Sequence, residues 1–345
     1  MIAVDAEVVS TFDDRHLSGI SLRSTAVNQL ITGQYDYALL GSSWDQRCVV
    51  VTDAEFATRV LQLFLPANRG SSGLRGNHDL LLSEFSSQVA AELDVVEGRS
   101  EDLDSIFEQI QAKILEVRKL LDRPIRMLVD LSAVPRYFTL GAIALGLNES
   151  VADQVHALYS EAIYGEVFSS VAVPVPEHTA SWEAVAVPRL EGDWYPTHIR
   201  HLLISVGFEP SKAARLADRW DADQFTVLFP APGVRPEYEK RATEANSGWM
   251  RQFGIGPDRI ISASPTDAIS VWSASSKSGL IDSRTENVYA LLCGSKPQSL
   301  GVALYSLARE RPAVMYVRPT VHREADIRSN GVSWLYKMRD RTVIS

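Results

Sequence analysis

The 345-residue chain has two cysteines, Cys48 and Cys293, far apart in the sequence. That spacing supports neither a disulfide framework nor a Cys-based zinc site, and it fits a reducing cytoplasm. None of the seven histidines stands in an HxH, HExxH or Cys-His cluster, so no metal site is expected. No apolar run approaches the ~18 residues that span a bilayer. The opening stretch "MIAVDAEVVSTFDD" carries acids where a signal peptide carries bases, and it lacks an apolar h-region. No membrane association is expected. Basic excess is missing too: 34 Lys and Arg stand against 43 Asp and Glu, a formal charge of −9. A binder of nucleic-acid duplex is normally basic, so that class is disfavoured, whereas a local basic site for a small anion is not. Walker A, GxGxxG and GxSxG motifs are absent.

What is present is internal similarity. "YALLGSSWDQR" (37–47) lies over "HLLISVGFEPSK" (201–212), with Trp44 on Phe208 and Asp45 on Glu209. At the same offset "LFLPANRG" (63–70) lies over "VLFPAPGV" (227–234). "RYFTLGAIALGL" (136–147) matches "KPQSLGVALYSL" (296–307), which sets Arg136 on Lys296 and Gly141 on Gly301. "ALYSEAIYG" (157–165) then answers "VMYVRPTVH" (314–322), and "SWEAVAV" (181–187) answers "SWLYKMR" (333–339). Matches in one order with small drifts indicate a tandem duplication. The expected organisation is an extension over 1–34 and two repeats, 35–190 and 197–345.

Each repeat alternates apolar strands and helices, the pattern of a mostly parallel sheet covered on both faces. Strands are predicted at "YDYALLGS", "VLQLFLP", "IRMLVDLS" and "VHALYSEAIY", then at "RHLLISVG", "FTVLFP", "NVYALLCG" and "AVMYVRP". Leu103, Ile106, Phe107, Ile110, Ile114, Val117 and Leu121 form one helical stripe, stopped by Pro124. The fold class is therefore α/β, with two tandem, duplicated Rossmann-like three-layer domains.

In such sheets ligands sit beyond the carboxyl ends of the strands. Three features fall there, two of them repeated in full and the third only in its tyrosine, Tyr159 on Tyr316. Trp44, Asp45 and Arg47 are mirrored by Phe208, Glu209 and Lys212: an aromatic face for a base, an acid for its donors, a cation for phosphate. Ser132 and Arg136 on one strand-to-helix turn are mirrored by Gly294, Ser295 and Lys296 on the other, where backbone N–H groups and a base suit an anion. Tyr159 and Glu161 follow the last parallel strand. Asp45, Glu161 and Glu209 are the candidates for acid–base chemistry. The Gly/Ser-rich stretch "NRGSSGLRGNH" (68–78) is expected to be a loop, either over a phosphate or mobile at the surface.

The turn "LLCGSKPQSLGVAL" resembles the nucleotide-sensing turn of CRISPR-associated Rossmann-fold (CARF) and SAVED domains, which pair two Rossmannoid units and bind cyclic oligonucleotides. That resemblance implies phosphate contacts for Ser295 and Lys296, and for Ser132 and Arg136 by extension. It also implies a role in prokaryotic antiviral defence with a separate effector protein. "DLSAVPR" departs from the pattern, with Pro135 and no glycine. Three readings stay open: a nucleotide-binding regulator, an enzyme hydrolysing a nucleotide or nucleoside, and a non-catalytic subunit of a larger complex. No cofactor beyond a nucleotide ligand is indicated.

Overall fold

The computed structural model describes residues 20–27, 33–43, 45–53, 56–67, 72–88, 92–99, 102–148, 150–164, 182–209, 212–277, 279–282, 284–309, 312–319 and 327–340. They form two units: residues 1–164 with 324–345, and residues 165–323.

The first unit carries β1 (Ile20–Val27), β2 (Gly33–Gly41), a 3-10 segment (Gln46–Asp53), β3 (Phe56–Pro66) and α1 (Ser72–Gln88). β4 (Glu92–Gly98), α2 (Leu103–Leu121), β5 (Ile125–Asp130), α3 (Arg136–Asn148), β6 (Ala152–Tyr164) and the distant β13 (Ile327–Asp340) complete it. The seven strands run in the order β1-β13-β6-β5-β2-β3-β4. β2 to β6 are parallel, β13 runs antiparallel to β6, and β1 antiparallel to β13.

Successive side chains of a strand point to opposite faces, which builds the layers. On one face Leu40, Leu61, Leu63, Leu128, Leu158 and Leu335 pack with Leu81 and Phe85 of α1 and with Cys48 and Val51 of the 3-10 segment. On the other, Phe64 meets Phe138 of α3 with ring centroids 5.1 Å apart. The apolar stripe of α2 is buried as its spacing predicts. That helix ends on Asp122 in the left-handed region (φ 50°), two residues before Pro124. α3 is buried along its length because α2 and the sheet enclose it. A Cβ on Gly141 would stand 2.6 Å from the Phe107 ring, so the two helices touch where no side chain fits.

The second unit carries β7 (Trp182–Ala186), β8 (Ile199–Ser205), α4 (Lys212–Trp220), β9 (Gln224–Pro230), α5 (Pro236–Gln252) and β10 (Ile260–Ala263). α6 (Ala268–Lys277), β11 (Glu286–Leu292), α7 (Lys296–Arg309) and β12 (Ala313–Pro319) follow. Its strand order is β10-β9-β8-β11-β12-β7. α4 and α5 cover one face, through Leu216, Trp249 and Met250 on Leu202, Ile204, Val227 and Leu291. α6 and α7 pack together, and a Cβ on Gly301 of α7 would lie 2.6 Å from the Ala268 carbonyl oxygen.

Numbered from the first parallel strand, both sheets read 3-2-1-4-5, with one antiparallel strand beside the fifth. This is the Rossmann order. The matched glycines Gly141 and Gly301 occupy equivalent helices and perform the same task.

The division differs from 35–190 and 197–345 in one respect. "SWLYKMR", expected in the second repeat, lies on β13 and closes the first sheet; "WEAVA", expected in the first repeat, is β7 and closes the second. The closing strands are exchanged between repeats. Part of the 1–34 extension is β1, which caps β13. The physical reason is that an antiparallel strand is recruited by the open edge of β6 or β12, whichever repeat encodes it. The expected loop at 68–78 also differs, since α1 begins at Ser72. Within the connection 171–182, only Trp182 lies among the described residues.

Candidate functional site

The carboxyl ends of β2, β5 and β6 bring most of the expected residues of the first unit together. Asp45 and Arg47 form a buried ion pair: Nε donates to both carboxylate oxygens at 3.0 and 2.9 Å, and Nη2 donates at 2.5 Å. Both side chains are 8% exposed, so water screens them little. Arg47 also donates to the Ser160 carbonyl at 3.2 Å and lies over the Tyr159 ring, 5.8 Å from its centroid. Burial pushes the Tyr159 phenol above its ordinary value. The Arg47 charge opposes that shift, Glu161 and Asp45 add to it, and Arg136 opposes it. Tyr159 therefore sits among two arginines and two carboxylates.

Glu161 is buried and accepts hydrogen bonds from Trp334 Nε1 and Asn330 Nδ2, both at 2.6 Å. Its donors come from β13, where the pairing with β6 slips between Ser329 and Ser333. One residue of β6, Glu161, faces three of β13 there, Gly331 has φ +83°, and the Val332 N–H donates to Asn330 Oδ1. Such irregularities re-aim side chains. Ser160 and Ser333 hydroxyls share a 3.0 Å bond across the same pair of strands. Asn330, Ser333 and Trp334 were not identified from sequence, because they lie on a strand whose partner is about half the chain away.

The strand-to-helix turns differ from expectation in detail. Arg136 and Lys296 are the first residues of α3 and α7, equivalent positions after the fourth parallel strand. The backbone N–H groups expected to face an anion are engaged by the protein itself. Asp130 accepts from the Ser132 and Ala133 amides at 2.6 and 3.2 Å. In the second unit Gly294 N–H donates to Ser205 Oγ at 3.0 Å and Ser295 N–H to Gln298 Oε1 at 3.1 Å. Ser132 Oγ accepts from the Ser160 amide at 2.8 Å, and Ser295 Oγ donates to the Pro265 carbonyl at 2.5 Å. A Cβ at Gly294 would meet Gln298 Oε1 at 2.4 Å and the Val206 carbonyl at 3.1 Å, so a side chain there would displace the Gln298 amide from the turn.

The remaining acid, Glu209, pairs with Lys212 at 3.1 Å, one helical turn away. Arg318, matched to Glu161 by the duplication, pairs with Glu183 on β7. Trp44 lies outside the described residues. Burial pushes the Cys48 thiol up to about 12, which leaves it unreactive. Among the described residues no group of three or more His, Cys, Asp or Glu is placed to hold a metal ion. No helix among the described residues is long and apolar enough to cross a membrane.

No family model matches the chain, and no curated protein matches it. A solved structure, of a functionally unknown protein from Pseudomonas aeruginosa PAO1, is similar over 83% of this chain and 93% of that one, at 12% identity and a TM-score of 0.25. The architecture stated above rests on the strand order alone.

Proposed function

We propose that the protein binds a phosphate-bearing nucleotide and acts as a regulatory component with a separate effector, as the CARF/SAVED-like turn suggests. One observation carries the reading: a base stands at the first position of equivalent helices, Arg136 on α3 and Lys296 on α7. A cation at a helix N-terminus opposes the macrodipole and is favourable where an anion lies beside it. Since the turn amides are taken up internally, the basic side chains would make the contact.

The carboxylates support binding over hydrolysis. Asp45 is matched by Arg47, Glu161 by two donors and Glu209 by Lys212. A general base or acid has to reach substrate with its own oxygens, whereas those of Asp45 and Glu161 are held by hydrogen bonds within the protein and Glu209 faces Lys212. The test is thermal shift followed by calorimetry against mononucleotides, dinucleotides and cyclic oligonucleotides. The expected result is a rise in Tm with one nucleotide class, diminished in Arg136→Ala and Lys296→Ala. No shift with any phosphate-bearing compound, or an undiminished shift in both variants, overturns the reading.

A further inference from the structure

The side of the first unit covered by α1 holds polar groups that neither the turns nor the Tyr159 cluster uses. Ser42 follows β2 directly and is 0% exposed, yet its hydroxyl has no hydrogen-bond partner among the described residues. Its amide still bonds to the Phe64 carbonyl at 2.9 Å, so the backbone there keeps the extended path of the sheet. Leu40, two residues earlier, packs under α1 and the 3-10 segment. By strand alternation Ser42 points to the same layer, one step nearer the carboxyl edge.

The helix above it presents a matching feature. Leu81 and Phe85 of α1 lie in the core beneath the helix. Asn77 and His78, four and three residues before Leu81, continue that stripe toward the carboxyl edge. Asn77 Nδ2 donates to the Ser43 carbonyl at 2.7 Å, which fixes this turn of α1 against the end of β2. His78 Nδ1 is buried and likewise has no partner among the described residues. An unmade bond on a buried polar atom costs about 1–3 kcal/mol. Two of them, on facing elements at the crevice where Rossmann-like sheets take their ligands, need a chemical explanation.

We propose that the end of β2 in the first unit is a phosphoryl-binding subsite, with Ser42 Oγ–H and His78 Nδ1–H donating to its oxygens. This rests on the nucleotide reading above and names a place for one phosphate of the ligand. The chemistry favours an acceptor-only group. A serine hydroxyl and an imidazole N–H both donate. The nearby carboxylate of Asp45, whose amide is tied to Ser43 Oγ at 3.2 Å, already has its charge matched by Arg47.

The experiment titrates the full chain with pyrophosphate, adenosine diphosphate and the nucleotide class found by thermal shift, using calorimetry and phosphorus NMR. Ser42→Ala and His78→Gln are compared with wild type and with Lys296→Ala. The expected result is at least tenfold weaker binding in both Ser42→Ala and His78→Gln, with Tm of the unliganded variants equal to or above that of wild type. Binding undiminished in these two variants but lost in Lys296→Ala overturns the subsite and leaves the nucleotide reading standing. No binding of any phosphate-bearing probe by wild type overturns both. A crystal grown with pyrophosphate that shows only a water between Ser42 and His78 also overturns the subsite.

Discussion

The two units share a strand order and differ in how each settles charge at its carboxyl end. In the first, acids and bases are buried together: Asp45 with Arg47, Glu161 under Trp334 and Asn330, Asp130 on two amides. In the second, the equivalent turn is closed by neutral groups, Ser205 and Gln298, and the charged pairs Glu209–Lys212 and Arg318–Glu183 are less buried. Duplication preserved the scaffold and the helix-opening base. The close helix contacts at Gly141 and Gly301 are common to both units, whereas the polar groups at the two carboxyl ends differ.

The largest test of that contrast removes β13. A chain ending before Ile327 is expected to lose hydrogen-exchange protection throughout β2–β6, while β8–β12 keep theirs. Equal loss in both units would show that they do not fold separately. Next is the ion pair. Arg47→Ala leaves Asp45 buried and unpaired and is expected to cost about 3–5 kcal/mol. Lys212→Ala removes a pair at 13% and 20% exposure and should cost under about 1 kcal/mol. Chemical denaturation measures both, and similar values would erase the difference between the crevices.

The glycines come third. Gly141→Ala and Gly301→Ala should each destabilise by about 1–3 kcal/mol. Gly301→Ala should cost more, because its obstacle is a backbone carbonyl at 2.6 Å whereas Gly141 faces a Phe ring that can shift. The reverse order in denaturation midpoints would show that the helix contact in the second unit yields.

The smallest effect is in pH. Burial holds His156 down to about 4, and its Nδ1 meets the Tyr35 hydroxyl at 2.8 Å. Burial also lowers His201 in the second unit, between Glu286 and Thr226. A ring whose folded value lies below its unfolded value of about 6.5 favours the folded state above that pH. That contribution is lost as pH falls from about 6.5 toward 4. Urea midpoints should drop over this window, and His156→Gln should flatten the profile for the first unit only.

Much of the scaffold was legible locally. Continuous apolar runs such as "YALLG" and "HLLIS" mark doubly covered strands, and the α2 stripe is a plain 3.6-residue repeat. α1 was missed because Ser72, Gly73, Gly76 and Asn77 read as a loop, and only packing on Leu81 and Phe85 outweighs that preference. In the candidate site, Asp45, Arg47 and Arg136 were legible because each follows a recognisable strand or opens a helix; Tyr159 and Glu161, expected after the last parallel strand, lie within β6 itself, near its carboxyl end. Their partners Asn330, Ser333 and Trp334 were not, since cross-strand pairing over such a distance leaves no local trace. Ser42 was invisible for another reason, since an unmade hydrogen bond has no sequence signature; His78 fell in the stretch 68–78 but was not singled out there.

The pairing of β13 with β6 has a consequence for how the chain can be cut and joined. Tyr164 and Ile327 are register partners, so the whole second unit enters and leaves the first between two neighbouring residues of an antiparallel pair. In chain terms the second unit is an insertion into a hairpin. Replacing residues 165–326 by a short turn would rejoin that hairpin and leave a continuous first unit. No single cleavage, by contrast, releases the first unit whole.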